Sequence, residues 1–432
     1  MHGQHTLLGG LILSAVLCAA LVADDWPEWW GPSRDGVWRE TGILESFPPG
    51  GPKVLWRAPV GLGYSSPSVA GGRVYITDAE LNKPAARENV RCLDAATGQP
   101  IWTHTYEVEY PDWAFTPDNE ARPVATPLIS GGKVYSLGRS ADLFCLDAAT
   151  GRVIWHRPLE KDYQTKDLRG INCSPLIEGD LLIVTIAKSA KASIVAFNKN
   201  TGADVWEALD EIPSNSSPIV VTWGGRRQLI VWAYKSVASL DPATGQVLWR
   251  EHINTGPAYV MSTPIIQDDR LLLSGLMLKL SDDGSGVTTL WPEDRRPNRV
   301  VLNDTSNPLL YNGLVLSATM SGQFACMDAA TGKQLWQVDN VTDPRHGASI
   351  HATASGGSVF LYTDRGDLIL THPTATGYQE VGRAHLLDPT YLFGGQKVAW
   401  APPAYANRHI FVRSDKEIVC ASLEGSVPAR GD

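Results

Sequence analysis

Short apolar runs separated by polar turns extend along almost the whole chain. No stretch beyond the N-terminus repeats its apolar residues at a helical spacing. Residues 126–155 are an example, because their apolar runs are separated by turns at Gly131-Gly132 and Asp147–Gly151. Short β-branched or apolar runs bounded by Gly, Asp and Thr are typical of strands. The pattern predicts a chain built from units of four strands.

One nine-residue phrase marks these units: Asp or Asn, two further residues, Thr-Gly, three spacers and Trp. Its copies run from Asp94 to Trp102, Asp147 to Trp155, Asn198 to Trp206, Asp241 to Trp249 and Asp328 to Trp336. Self-similarity at this spacing indicates a repeat architecture. Asp and Thr suit the turn because their oxygens accept from nearby backbone N–H groups, and Gly adopts positive φ.

Four-stranded units without helices predict a β-propeller. The innermost strands are expected to begin at Pro67, Pro127, Pro175, Pro218, Pro264, Pro308, Ala352 and Pro403. Only seven outer strands follow these eight starts, and Val54–Arg57 resembles the outer strand Val247–Arg250. We therefore predict an all-β fold, an eight-bladed propeller of four-stranded antiparallel blades. Residues 54–60 should pair with the last unit, residues 398–423, and close the ring.

The chain divides into three predicted parts: a signal peptide at 1–23, an N-terminal extension at 24–53 and the propeller at 54–425. Residues 7–23 are mostly apolar and end before Asp24, which is typical of a cleaved secretory signal. An uncleaved membrane anchor is the alternative. Lipidation at Cys18 is not favoured, because Leu17 stands where a small residue is expected. No later segment is apolar enough to span a bilayer. We predict a periplasmic or secreted monomer, with association to the outer membrane as one option.

Charge and cysteine usage narrow the function classes. The net charge of −9 argues against nucleic acid as a partner, because its phosphates require a basic surface. Four cysteines occupy the same place in different units: Cys92, Cys145, Cys326 and Cys420. Equivalent positions on separate blades lie too far apart for disulfides, so these thiols are predicted to be small core residues.

The repeat Cys-Leu-Asp-Ala-Ala-Thr-Gly-x-x-x-Trp, as at Cys145–Trp155, resembles the pyrroloquinoline quinone (PQQ) propeller repeat. The opening Asp25–Gly36 resembles the start of PQQ-like repeat proteins of planctomycete-type bacteria. The resemblance covers residues 25–425 and implies that each motif Trp docks near the motif Gly of the next blade. It implies this role for Trp56, Trp102, Trp155, Trp206, Trp249 and Trp336. Two units depart from the pattern, the fifth at Ser281–Gly286 and the seventh at Val381.

The family has two branches, and the fold does not decide between them. Quinoprotein dehydrogenases hold PQQ and Ca²⁺ on the propeller axis. The non-enzymatic branch includes the outer-membrane protein assembly lipoprotein of the barrel-assembly machinery. The adjacent cysteines and the Cys-x-x-Cys-His motif of the dehydrogenases are absent from this sequence.

The family's catalytic base is an Asp, and Asp304 is the one candidate, although turn capping is its favoured role. We favour a non-catalytic binding or scaffold module with a protein or cell-envelope partner, no cofactor and no metal. A role in outer-membrane or cell-envelope assembly fits this hypothesis. The alternative is a PQQ- and Ca²⁺-dependent alcohol or sugar dehydrogenase with a reduced active site.

The loops that lead into the innermost strands should gather at one mouth of the axial channel. Their candidate ligand-facing residues are Arg122, Arg169, Asn172, Asn215, Tyr259, Asn303, Asp304, His351 and Trp400, beside Tyr64-Ser65. Guanidinium forks and aromatic faces could hold an anionic or planar ligand, and a water-filled mouth is the alternative. Residues 104–122 and 276–300 look like insertions, which often carry binding on a rigid scaffold.

Overall fold

The apolar runs and turns fold as strands and hairpins around a central axis. The computed structural model describes residues 24–116, 121–164, 173–186, 192–254, 262–301, 303 and 305–425. In this part of the chain the strands form eight four-stranded antiparallel sheets and one separate two-stranded hairpin. The predicted eight-bladed β-propeller is therefore confirmed.

Blades one to four follow the chain from the axis to the rim. Blade one has β2 Ser68–Ala70, β3 Arg73–Asn82, β4 Ala85–Asp94 and β5 Pro100–Val108, and blade two has β6 Leu128–Ser130, β7 Lys133–Leu137, β8 Asp142–Asp147 and β9 Val153–Pro158. Blade three has β10 Leu176–Glu178, β11 Leu181–Thr185, β12 Ile194–Asn198 and β13 Asp204–Ala208, and blade four has β14 Ile219–Trp223, β15 Arg226–Trp232, β16 Ser236–Leu240 and β17 Val247–His252.

Blades five to eight complete the ring. Blade five has β18 Ile265–Gln267, β19 Arg270–Leu273, β20 Leu276–Leu280 and β21 Val287–Trp291, and blade six has β22 Leu309–Tyr311, β23 Leu314–Ala318, β24 Phe324–Asp328 and β25 Gln334–Val338. Blade seven has β26 Ile350–Ser355, β27 Ser358–Thr363, β28 Asp367–Thr371 and β29 Glu380–His385. Blade eight has β32 Ala404–Ala406, β33 His409–Arg413 and β34 Glu417–Ser422, together with β1 Val54–Pro59.

A few elements lie between the blades. They are the separate hairpin β30 Tyr391–Phe393 and β31 Gln396–Val398, the one-turn helix α1 Leu159–Tyr163, and 3₁₀ turns at Asp112–Phe115 and Arg299–Val301. Residues 276–291 are ordinary blade strands, so the expected insertion at 276–300 is wrong for most of its length. The fifth blade lacks the motif that marks the other units, which made its strands look like extra sequence.

The N-terminal strand closes the ring as predicted. Val54 to Pro59 pair in antiparallel register with β34 of the last blade. Beside this strand, a buried cation joins the last blade to the first. The guanidinium of Arg413 donates to the carbonyls of Gly61, at 2.6 Å, and Thr77, at 2.7 Å. The ring is therefore closed by a paired strand within blade eight and by a buried polar contact from blade eight to blade one.

The chain direction defines two faces of the propeller. Each innermost strand starts at the connection from the preceding blade, and this connection lies on the same face as the turn between the second and third strands. We call this face the mouth face. The first turn of each blade and the Asp-to-Gly motif turn lie on the opposite face, which we call the hairpin face. In blade one the Ala95 amide of the motif turn donates to the Gly72 carbonyl of the first turn. This bond and its equivalents in other blades are 2.8–2.9 Å long.

The motif residues build the turn in the way the sequence predicts. The Asp94 carboxylate accepts from the amides of Ala96, at 3.1 Å, and Thr97, at 2.9 Å, and from the Thr97 hydroxyl, at 2.8 Å. The Thr97 hydroxyl bond, followed by those from the two amides, lowers the pKa of Asp94. Gly98 has φ of +71°, and a Cβ there would lie 2.5 Å from the Trp56 indole. A side chain at this position would meet both backbone strain and a clash.

Five tryptophans make the same contact with the next blade. The indole covers the motif Gly, and its N–H donates to a carbonyl three residues before that Gly, at 2.9–3.1 Å. The five are Trp56, Trp102, Trp155, Trp206 and Trp291. Trp336 instead donates to the Thr374 carbonyl of blade seven, at 2.7 Å. Trp291 was not among the expected docking residues because no motif copy precedes it.

Trp249 contacts its neighbour differently, so its expected docking on a motif turn needs correction. Its N–H donates to the Gln228 carboxamide oxygen, at 3.1 Å. The Gln228 amide reaches the Gly284 carbonyl of blade five, at 3.1 Å. Trp223 supplies the remaining contact by donating to the Ser281 carbonyl, at 2.7 Å. A longer Ser-Asp-Asp-Gly turn replaces the motif here, so Gln228 and Trp223 bridge the two blades instead.

The segment before β1 crosses the axis on the hairpin face. Trp26 forms an antiparallel bridge with Val69 of blade one, and Val37 forms a parallel bridge with Ala354 of blade seven. The segment adds no strand to any blade. Several of its side chains are nonetheless buried, with Trp26 and Trp38 each 1% exposed. The N-terminal extension therefore fills the end of the channel that lies opposite the mouth.

Candidate functional site

Arg122 lies at the mouth on the side of blades eight and one. Its guanidinium forms an ion pair with Asp415, at 3.2 Å, and donates to the Tyr64 hydroxyl, at 2.6 Å. The guanidinium carbon also lies 4.0 Å from the ring centre of Tyr391, a cation–π distance. Asp415 in turn accepts from the Gly63 amide, at 3.0 Å. The Arg122 charge is therefore balanced inside the protein.

Trp400 continues this cluster toward blade seven. Its ring centre lies 5.5 Å from Tyr64, 5.2 Å from Tyr391 and 4.7 Å from Phe393. These separations are those of favourable aromatic pairs. The Trp400 N–H donates to the Gly347 carbonyl, at 2.8 Å. Four aromatic rings beneath Arg122 thus form a packed platform on one side of the mouth.

His351 lies next to this platform but faces inward. Its Nε2 is 3.0 Å from the Trp400 carbonyl, which can only accept, so this nitrogen carries the proton. Burial lowers the pKa of His351 to about 4, and the bond to Trp400 opposes this only in part. The imidazole is therefore neutral near pH 7 and connects the platform to β26.

Asn303 is also committed to internal contacts. Its side-chain N–H₂ donates to the carbonyls of Thr319, at 2.8 Å, and Ala348, at 3.1 Å. Its oxygen accepts from the amide of Thr305, at 2.8 Å. The carboxamide thus ties the chain leading into blade six to its neighbours, which is the structural role that a buried amide usually takes.

The predicted mouth residues fall into four groups. Arg122, His351 and Trp400 come together with Tyr64, whereas Asn303 lies apart from them in a backbone network. Asn215 is half-buried on the connection into blade four. Four candidates lie outside the described residues: Arg169, Asn172, Tyr259 and Asp304.

Sequence reasoning missed three members of the platform region, Tyr391, Phe393 and Asp415. They belong to connections that carry no copy of the repeat. The aromatic run Tyr391–Phe393 before Gly394-Gly395 was a hairpin signal that could have identified part of it.

A calcium-bound quinone would need several oxygen ligands near the axis. Among the described residues, no three His, Cys, Asp or Glu side chains lie close enough together to hold a metal ion. The Asn303 amide is bonded to backbone carbonyls, and Arg122 is paired with Asp415. The described side chains therefore do not fit such a group.

The first blade rises above the mouth. Its β3–β4 hairpin is 10 residues long on each side, whereas β7 in the second blade has 5 residues. At about 3.3 Å per residue, the additional five residues extend roughly 16 Å. The residues after β5 pack on this hairpin, where Lys83 pairs with Asp112 at 3.0 Å. The described part of the expected insertion at 104–122 thus forms a projection together with β3 and β4.

A buried carboxylate anchors the projection. Glu88 of β4 accepts from the hydroxyls of Tyr106 and Tyr110, each at 2.6 Å, and from the Arg139 amide of blade two, at 3.2 Å. Burial raises the pKa of Glu88, and the two tyrosine bonds act against that shift. A methyl group on Gly138 would overlap the carboxylate and the Tyr106 hydroxyl. The network therefore requires a glycine in the neighbouring blade.

The exposed large hydrophobic side chains fall into a rim set and a mouth-face set. Nine of the large hydrophobic residues that are exposed in the described ranges lie on outer strands at the rim: Val54, Leu55, Ile101, Val153, Ile154, Val205, Val247, Leu290 and Leu335. The other three, Trp113, Ile212 and Leu392, lie on connections of the mouth face. Trp113 is 41% exposed and lies 5.9 Å from the Arg139 guanidinium. No turn of the described hairpin face exposes a large hydrophobic side chain, and eight of the nine rim residues are the first or second of their strand, next to that face.

Closed rings of four-stranded blades with tryptophan-docked motif turns define the class of PQQ-repeat β-propellers. The family described as "Outer membrane protein assembly factor BamB" matches residues 86–281 and 291–422, and the chain belongs to this family. A relative of that name from Shewanella oneidensis is 24% identical over 338 residues, which cover 65% of this chain and 80% of the relative.

Two solved structures share the fold. BamB from Moraxella catarrhalis aligns with a TM-score of 0.56 at 16% identity, covering 86% of this chain and 99% of that one. The quinohemoprotein alcohol dehydrogenase from Comamonas testosteroni aligns with a TM-score of 0.64 at 16% identity, covering 96% and 83%. Similarity at this level of identity demonstrates the propeller fold in both cases. Within the described residues no helix is both long and apolar enough to cross a bilayer.

Proposed function

We propose that this protein is a non-catalytic scaffold of the bacterial cell envelope that docks a protein partner on its mouth face. Its family membership supports a role in outer-membrane protein assembly, because relatives at 24% identity carry that name. The periplasm is the compartment in which such a scaffold would act. The predicted signal at residues 1–23 is consistent with that location.

The distribution of exposed apolar side chains is the observation that carries the choice of face. Trp113, Ile212 and Leu392 are spread over the mouth face, and Trp113 stands on the projection of blade one. Exposed tryptophans with a nearby arginine are typical energetic centres of protein interfaces. The rigid blades would hold these connections in fixed positions, which lowers the entropy cost of binding.

The internal commitment of the mouth residues supports a binding role rather than a catalytic one. Arg122 and Asn303 would have to give up buried partners in order to reach a ligand. Breaking a buried charge pair costs several kcal/mol, about 3–5 in typical cases. No specific observation favours the dehydrogenase alternative. Purified protein mixed with PQQ and Ca²⁺ should show neither binding nor dye-linked alcohol or sugar oxidation.

The experiment compares two variants with matched exposure in a strain that lacks the chromosomal gene. Trp113→Ala removes the mouth-face tryptophan, and Ile101→Ala removes a rim side chain that is 42% exposed. The abundance of β-barrel proteins in the outer membrane is then measured at equal scaffold levels. We expect Trp113→Ala to fall toward the deletion strain and Ile101→Ala to match the wild type. Equal abundance in both variants would contradict docking through Trp113.

A further inference from the structure

The N-terminal segment contacts nearly every blade at the axis. The Ile129 amide of blade two donates to the Pro27 carbonyl, at 2.8 Å, and the Trp29 N–H donates to the Thr263 hydroxyl before blade five, at 2.8 Å. The Trp38 ring centre lies 5.1 Å from Tyr405 of blade eight. Together with the bridges to blades one and seven, these contacts surround the axis.

Arg34 contacts the starts of two innermost strands. Its guanidinium donates to the Pro218 carbonyl, at 3.0 Å, and to the Pro175 carbonyl, which lead into blades four and three. The Glu28 carboxylate pairs with its Nε, at 2.6 Å. The side chain is almost completely buried, so the segment brings its own counter-charge for a cation on the axis.

The segment contacts the blades as a bound peptide would, and it is not a strand of any blade. All eight blades are complete with strands drawn from residues 54–422, and the segment touches them through single bridges and side chains. Its connection to β1 is largely exposed between residues 45 and 50. The indole N–H of Trp26 is buried without an acceptor among the described groups, a cost that a packed core usually avoids.

We propose that the hairpin end of the axial channel is a peptide-binding site, which residues 25–38 of this chain occupy in cis. The ligand it takes is a peptide with spaced tryptophans and one arginine, folded through turns between residues 28 and 36. Gly31 and Gly36 let the tryptophans fold back on the peptide, because a Cβ at Gly36 would lie 2.5 Å from the Trp30 indole. This inference does not depend on the proposed function, which concerns the opposite face.

The test starts from the full chain with a protease site inserted between Pro49 and Gly50, where a Cβ meets no neighbour. After cleavage, the N-terminal fragment should co-elute with the propeller in gel filtration. A fluorescent peptide of residues 24–41 should then replace it over several days at one site per propeller. Release of the fragment on cleavage would overturn the proposal. Retention without any exchange would overturn it as well, because the segment would then be a fixed part of the core.

A matched pair of peptides tests the specificity of the site. Arg34→Gln removes the donors to the two axial carbonyls, whereas Arg39→Gln alters an arginine that pairs only within the segment, with Asp35 and the Val37 carbonyl. Loss of buried charge-assisted hydrogen bonds should weaken exchange roughly tenfold or more. The Arg39→Gln peptide should match the native peptide. Equal affinity of the two variants would contradict an axial site that recognises Arg34.

Discussion

Replacing Trp56 with alanine tests how the ring is closed. Trp56 lies on the N-terminal strand β1, is nearly buried, covers Gly98 and donates to the Ala95 carbonyl at 2.9 Å. Truncation of a buried tryptophan costs about 3–5 kcal/mol, and loss of the hydrogen bond adds about 1. The unfolding entropy of about 400 residues is roughly 0.8 kcal/mol per kelvin, so the melting temperature should fall by about 5 °C.

Differential scanning calorimetry of purified protein measures this shift directly. Trp113→Ala is the control, because that side chain stands on the mouth face and its loss should change the melting temperature by less than about 1 °C. An unchanged melting temperature for Trp56→Ala would refute the reasoning, since a closing strand without a docked Trp56 would then hold the ring equally well. A fall of similar size in both variants would equally argue against a specific seam contact.

Three further outcomes follow from the described contacts. Between pH 6.5 and about 4 the unfolded chain binds a proton at His351 while the folded protein does not. The free energy of unfolding should therefore fall by up to about 3 kcal/mol as the pH is lowered through this range. Urea titrations at several pH values measure this loss, and the His351→Gln variant should lack it. Gly138→Ala should loosen the blade-one projection, which limited proteolysis would detect as faster cleavage near Tyr110. Gly357→Ala is the control, because a Cβ there meets no neighbour and the backbone is not left-handed. Trp155→Ala should destabilise less than Trp56→Ala in the same calorimeter, because its indole is only partly buried.

The propeller could be predicted from sequence because its determinants are local and repeated. The motif turn needs only Asp, Thr and Gly in the right order, and the likeness of Val54–Arg57 to Val247–Arg250 identified the closing strand. Blade five escaped the pattern because its Ser281–Gly286 turn replaces the motif. Its bridge through Gln228 has no sequence signal, since a glutamine inside a strand rarely marks a blade contact.

The axial segment and the mouth platform could not be predicted for a physical reason. Residues 25–38 have no periodic pattern of apolar residues, and the surface that they contact forms only when the eight blades meet at the axis. Likewise, Tyr391 and Asp415 meet Arg122 through connections that are far apart in sequence. Repeats specify the blades, whereas the contacts between non-repeating connections depend on the assembled ring.

The central claim is that the mouth face docks a protein partner, and photo-crosslinking in living cells tests it most directly. A crosslinking amino acid is placed at Asp112, the exposed neighbour of Trp113 on the mouth face, or at Thr150, an exposed position in a motif turn of the hairpin face. Position 112 should form an adduct with a component of the outer-membrane assembly apparatus, and position 150 should form none. The same adduct at both positions, or no adduct at 112, would contradict docking on the mouth face.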